Sequence, residues 1–220
     1  MHVNVINKEQ EFFAEITDID IKNISNSNFI KIKQTLETYG VVVIKNQNIN
    51  DDEQIKFSKK FGNLEKALEH DRLQGIRNEI TRISNVDENN NILPVDSKKV
   101  IYDRGNRSWH SDSSYKNIPS KFSILSSREI PNQGGGTEYI DARHALEIWN
   151  KKNHKYSLQD LKELICEHSI VYSRMVNTGD IFDKNYKNKM PFVKQRLIRT
   201  HPFTKRSAFY VGSHCSHIVG

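Results

Sequence analysis

A chain of 220 residues has room for one large domain around a sizeable core, or at a stretch two small ones. Its formal net charge of +6 comes from lysines scattered over the whole length. The densest basic stretch, Lys184 to Lys194, interleaves asparagine and methionine rather than aromatic rings. A nucleic-acid binder usually gathers its charge on one face, so the excess reads as a solvated surface, with mild attraction for a small anionic substrate as the functional alternative. No apolar run approaches the roughly 20 residues that cross a bilayer. Met1-His2-Val3-Asn4 also lacks the basic start and apolar stretch of a signal peptide, so the expected location is the cytoplasm. Cys166 and Cys215 form no CxxC and read as ordinary thiols rather than zinc ligands or a disulfide.

In chain order, Asn26-Ser27-Asn28 offers N-caps, and Phe29, Ile32 and Leu36 recur at helical spacing until Gly40. Val41-Val42-Val43-Ile44 is a short β-branched run suited to a strand buried on both faces. Asn50-Asp51-Asp52 begins a second helix with Phe57 and Phe61 on one stripe and Gly62 at its end. Ile80 to Val86 alternates as a strand, and Asp87-Glu88-Asn89-Asn90-Asn91 reads as a polar turn. Residues 94 to 108 read as a loop. Phe122 to Ile130 and Thr137 to Ile140 read as strands, separated by the turn Pro131-Asn132-Gln133-Gly134-Gly135-Gly136.

Asp141 caps a helix carrying Ala145, Leu146 and Trp149, and Ser157 caps another with Leu158, Leu161, Leu164 and Ile165 inward. Three more strands are expected, Ser169 to Arg174, Gln195 to Thr200 and Ala208 to Gly212, with a turn from Thr200 to Arg206 between the last two. Many short strands with helices before and between them, and no glycine-rich phosphate loop, point to an α+β or mostly β sandwich or jelly roll with flanking helices. No repeat or linker divides the chain, so residues 1 to 220 read as one domain.

The chemistry centres on Trp109-His110-Ser111-Asp112. In an extended segment side chains two apart share a face, so His110 and Asp112 can converge on one metal ion as two parts of a 2-His-1-carboxylate facial triad. A pair of this kind turns up by chance about once in two such sequences, so alone it reads rather as a surface hydrogen-bonded pair. Trp109 can wall the site, and Ser111, Ser113 and Ser114 are small polar neighbours. The glycine turn leads straight into Thr137, whose hydroxyl could bind a carboxylate.

The block Gly105-Asn106-Arg107-Ser108-Trp109-His110-Ser111-Asp112-Ser113-Ser114-Tyr115 resembles the iron- and 2-oxoglutarate-dependent dioxygenases of the TauD/TfdA type. Four further stretches resemble the same family in the same order: Ala14 to Asp20, Tyr39 to Ile44, Gly135 to Asp141, and Arg199-Thr200-His201-Pro202 with Tyr210-Val211-Gly212-Ser213-His214. Ser113-Ser114-Tyr115 and Gly212-Ser213-His214 are nearer the chlorophenoxyacetate branch. The resemblance implies a double-stranded β-helix (jelly roll), Fe(II) as cofactor and 2-oxoglutarate as cosubstrate. It also implies O2 and a small acidic molecule, a carboxylate or sulfonate, as reaction partners, with succinate and CO2 as co-products.

The same resemblance makes His110 and Asp112 iron ligands and Thr137 a 2-oxoglutarate contact. Asn106 and His214 become substrate contacts, although Asn106 reads equally as a turn former and His214 as a strand-end surface histidine. In the family a second iron histidine and an arginine clamping the far carboxylate of 2-oxoglutarate follow the Gly212-Ser213-His214 stretch. Neither has a counterpart before Gly220. His217 lies too early, and His201 belongs to a turn. The expectation is therefore a chain matching roughly the first three-quarters of a member, its last strands missing and its iron grip and turnover impaired. The alternative is a non-catalytic relative that binds or regulates. No membrane or nucleic-acid partner is expected, and a homo-oligomer is left open.

Overall fold

The computed structural model describes residues 1–66, 78–87, 89–152 and 155–220. Its contacts gather into two compact units interleaved in sequence. One comprises Met1–Ile80, Ile124–Ile148 and Thr200–Ser207, the other Thr81–Ser123, Trp149–Arg199 and Ala208–Gly220.

In the first unit, β1 (His2–Asn7) and β2 (Phe12–Thr17) pair antiparallel, and β3 (Val42–Ile44) joins β2 in parallel. A parallel pair needs a crossover, and helix α1 (Asn26–Tyr39) supplies it. The helix is capped by Ser25, one residue before the expected asparagines, and ends at Gly40 as its sequence predicts. Helix α2 (Asp51–Lys59) opens with a capping box: the Asn50 side chain accepts from Glu53 N–H at 2.9 Å, and Glu53 returns the bond at 2.8 Å. The predicted stripes meet here, with Ile16, Ile21, Ile32, Ile49 and Phe57 buried and Phe29 and Phe61 packed edge-on at 4.9 Å. β3, expected to be buried on both faces, is instead a half-covered edge strand with Val43 exposed.

Helix α4 (Ala142–Asn150) starts where Asp141 accepts the backbone N–H of Arg143 at 2.9 Å. The Arg143 guanidinium grips both Asp141 oxygens at 2.9 Å and also donates to the carbonyls of Thr38 (2.7 Å) and Glu11 (3.3 Å). One buried cation thus latches the start of α4 to the end of α1 and to the β1–β2 turn.

In the second unit, β4 (Ile165–His168) runs antiparallel between β5 (Val193–Arg196) and β8 (Cys215–Ile218). Helices α3 (Lys98–Asp103), α5 (Leu158–Glu163), α6 (Ile170–Thr178) and α7 (Lys184–Lys189) surround this sheet in sequence. Ser157 caps α5 with a capping box, as expected. β6 (Ile198–Thr200) and β7 (Ser207–Phe209) form a hairpin about the expected 200–206 turn, which itself is counted with the first unit. Cys166 and Cys215 are free thiols, and burial pushes the Cys166 thiol up to about 12, so it stays protonated.

Several expected elements differ. Residues 169–174 form the start of α6 rather than a strand. Ser169 Oγ accepts Tyr172 N–H at 3.1 Å and caps a helix whose β-branched Ile170 and Val171 mimic a strand run. The expected loop at 94–108 contains α3, capped by Ser97, and a 3-10 turn at Arg104–Arg107. The segments 80–86, 122–130 and 137–140, expected as strands, pair in no ladder among the described residues, apart from one Val86–Ile92 bridge. A strand needs a hydrogen-bonded neighbour as well as alternation. The Asp87 turn is present, with Asp87 accepting the N–H groups of Asn89 and Asn91 at 2.8 Å, while Glu88 lies outside the described residues. Among the described residues no helix is long and apolar enough to cross a membrane.

Burial alone would raise the Asp141 pKa, but the Arg143 guanidinium holds it below the usual carboxylate range. A depressed carboxylate stabilises the fold above its unfolded pKa, about 3.9, and that contribution is lost as the pH falls through the lower folded value. Arg143→Met is expected to cost about 3–5 kcal/mol at pH 7 in urea unfolding, with a smaller deficit below pH ~4. A deficit independent of pH would contradict the latch.

Candidate active site

Ser108 leaves the 3-10 turn in extended backbone and carries the chain into Trp109-His110-Ser111. The Ser108 carbonyl lies 2.7 Å from His110 Nδ1, and a carbonyl can only accept, so Nδ1 carries the proton. Nε2 is then turned toward Asp112, 3.3 Å from Oδ1. The other Asp112 oxygen accepts from Ser123 Oγ at 2.7 Å. The Asp112 hydrogen bond, against the effect of burial, raises the His110 pKa. The His110 bond, again against burial and with help from Ser123, lowers that of Asp112.

The turn after Asp112 is anchored from the sheet. Ser113 Oγ accepts from Ser120 N–H at 2.9 Å, and buried Ser114 meets His168 Nδ1 of β4 at 3.1 Å. Gln195 of β5 donates to the carbonyls of Ser114 (3.2 Å) and Lys116 (2.9 Å). Ser113 and Ser114, read from the sequence as small polar neighbours, are the fastenings of the loop.

On the other side, Ser213 N–H donates to the Trp109 carbonyl at 2.8 Å. A Cβ at Gly212 would lie 3.0 Å from both His110 Cα and the Trp109 oxygen, so any side chain there would push the two backbones apart. His214 is 2% exposed, its ring edge-on to those of His110 (5.5 Å) and Tyr115 (4.9 Å). Ser173 Oγ donates to the Ile170 carbonyl at 3.0 Å and therefore accepts from His214 Nδ1 at 2.8 Å. Burial, with the nearby His110 and Arg174 charges, pushes the His214 pKa down to about 3, so the ring is neutral at physiological pH.

Asn106 lies exposed in the 3-10 turn, its Oδ1 2.6 Å from Arg174 Nη2. Thr137 belongs to the first unit, exposed on an irregular stretch just after the glycine turn. His201 sits in the hairpin turn, where Nδ1 accepts from Thr204 N–H at 3.2 Å. His217 is an exposed β8 residue facing Glu167 at 3.8 Å. Sequence reading did not single out Ser173, Arg174 and Asn177 of α6. Ser108 Oγ donates to Asn177 Oδ1 at 2.8 Å, so this helix holds His214, Asn106 and Ser108 together. The signal was the Ser169 cap, followed by polar residues at the i, i+4 spacing of Ser173 and Asn177.

A divalent ion suits this donor set. His110 presents an imidazole nitrogen whose opposite N–H is held by a carbonyl, the arrangement that orients metal-bound histidines. Adjacent ligands on an octahedral ion with bonds of about 2.1 Å lie about 3 Å apart, close to the 3.3 Å observed. No group of three metal-binding side chains occurs among the described residues. Gly212→Ala is expected to cost about 1–3 kcal/mol and to shift the His110 ring NMR signals. Unchanged His110 signals would contradict the close approach.

Residues 6–220 match the family described as "Taurine catabolism dioxygenase TauD, TfdA family". The chain is 31% identical over 214 residues to the alpha-ketoglutarate-dependent 2,4-dichlorophenoxyacetate dioxygenase of Cupriavidus pinatubonensis, covering 95% of this chain and 73% of that relative. It is 25% identical to the (S)-phenoxypropionate/alpha-ketoglutarate-dioxygenase of Sphingobium herbicidovorans, covering 95% of this chain and 70% of the other. The crystal structure of AAD-2 in complex with Mn(II) and N-oxalylglycine superposes with a TM-score of 0.85 at 29% identity, over 99% of this chain and 74% of the other.

Proposed function

The chain belongs to the TauD/TfdA family of alpha-ketoglutarate-dependent dioxygenases, and on that premise we propose that it hydroxylates a small organic acid, a carboxylate or sulfonate, with His110 and Asp112 as its Fe(II) ligands. The observation that carries this reading is the 3.3 Å approach of His110 Nε2 to Asp112 Oδ1, with the His110 Nδ1 proton held by Ser108. Thr137 contacts 2-oxoglutarate, and Asn106 and His214 line the substrate site. The described sheets are parts of a double-stranded β-helix. O2 is the second small partner, with no nucleic acid or membrane involved.

The chemistry supplied by bound Fe(II) and 2-oxoglutarate is oxidation of a substrate C–H bond by O2, with succinate and CO2 as co-products. The protein's own residues orient and desolvate. Ser108 holds a proton on His110 Nδ1, so that Nε2 is the nitrogen that would give up its proton to a metal, and Ser123 fixes the second Asp112 oxygen so that the first faces the imidazole. His214, neutral and buried beside the His110 ring, excludes water without repelling a cation.

Two protein ligands grip a cation more weakly than three, and no third gathers with them among the described residues. Mn(II) titration followed by electron paramagnetic resonance, with 2-oxoglutarate present, is expected to show weak binding that falls more than about tenfold in His110→Ala. Equal affinity in the two proteins would overturn the ligand assignment.

A further inference from the structure

Arg174 is a charged side chain buried in the second unit, only 5% exposed, with no carboxylate paired to it among the described ion pairs. Its Nε and Nη1 have no hydrogen-bond partner among the described residues. The guanidinium carbon lies 4.6 Å from the centre of the Tyr102 ring, and a Cβ at Gly105 would collide with the guanidinium. Arg174 is thus clamped between the ring of α3 and the backbone of the 3-10 turn, with one polar contact left to make. That contact is Nη2 to Asn106 Oδ1 at 2.6 Å.

A guanidinium has only donors, so it accepts one orientation of the Asn106 amide. The oxygen faces Arg174 and is consumed, and the NH2 group points the other way from an exposed residue. The buried positive charge also polarises the amide and makes its N–H a stronger donor. We propose that Arg174 is the positioning residue that fixes Asn106 as a hydrogen-bond donor, and so selects substrates that present an anionic acceptor over neutral isosteres. This rests on the reading that Asn106 lines the substrate site. Arg174 does not touch the substrate; it acts through the amide.

The test uses the 220-residue chain and two probes of like shape, phenoxyacetate and the neutral phenoxyethanol. Asn106→Asp puts a carboxylate against the buried guanidinium. It is expected to raise the melting temperature by about 2–4 °C in the wild-type background and not in Arg174→Met. The wild type is expected to bind phenoxyacetate more tightly than phenoxyethanol. Arg174→Met should weaken the acid about tenfold and the alcohol less than about twofold, because a released amide no longer keeps its donor toward the acid.

If Arg174→Met does not fold, Arg174→Lys takes its place. A single ammonium does not hold a planar amide in one orientation, so the preference for the acid should again fall. Equal weakening of both probes marks a merely structural role and overturns the proposal. So does a wild type without preference, or an Asn106→Asp shift that is the same with and without Arg174. The Mn(II) affinity lost in His110→Ala is independent of all these outcomes, so failure here and failure of the iron-site reading are told apart.

Discussion

The Ser108 carbonyl sets the chemistry of the candidate site. By accepting the Nδ1 proton of His110 at 2.7 Å, it decides that Nε2 is the nitrogen turned toward Asp112. Imidazole is a metal ligand only through an unprotonated nitrogen, so the tautomer matters as much as the position of the ring. A carbonyl is a dependable partner because it cannot donate, and this one is fixed at the exit of a 3-10 turn whose side chains are themselves tied down.

Most of what ties them down is helix α6. Asn177 accepts from Ser108, Arg174 donates to Asn106 and Ser173 accepts from His214. Three residues within one turn and its neighbour therefore brace three parts of the site, and a helix resists the small displacements that loosen a ligand pair. The opposite side of the His110–Asp112 loop is fastened to the sheet through Ser114, His168 and Gln195. The first unit relies on the same device, with buried Arg143 satisfying one carboxylate and two carbonyls.

Much of this was legible in the sequence where local chemistry decides structure. Helix α1 ends at Gly40, α2 opens on the Asn50–Glu53 box, and Ser157 and Asp141 begin helices as their side chains require. His110 and Asp112 lie 3.3 Å apart, with Asp112 opening a turn rather than continuing the extended segment that the sequence suggested. What was not legible depends on partners distant in sequence. Ile170 and Val171 read as strand because β-branching is a weak signal that the Ser169 cap and one buried face override. The apolar and β-branched residues at 122–130 and 137–140 suggested strands, yet among the described residues those segments pair in no ladder. Arg174 was missed for a related reason: its weight comes from burial and from contacts with Tyr102, Gly105 and Asn106, none visible in its own neighbourhood of the chain.

The central claim is that one imidazole nitrogen and one carboxylate oxygen share a divalent cation. Crystals soaked in Mn(II) with N-oxalylglycine and measured at the manganese absorption edge test it most directly. The account expects an anomalous peak within bonding distance of both His110 Nε2 and an Asp112 oxygen, with His110 Nδ1 still on the Ser108 carbonyl. Bound manganese located elsewhere, with His110 and Asp112 left in contact only with each other, would contradict it.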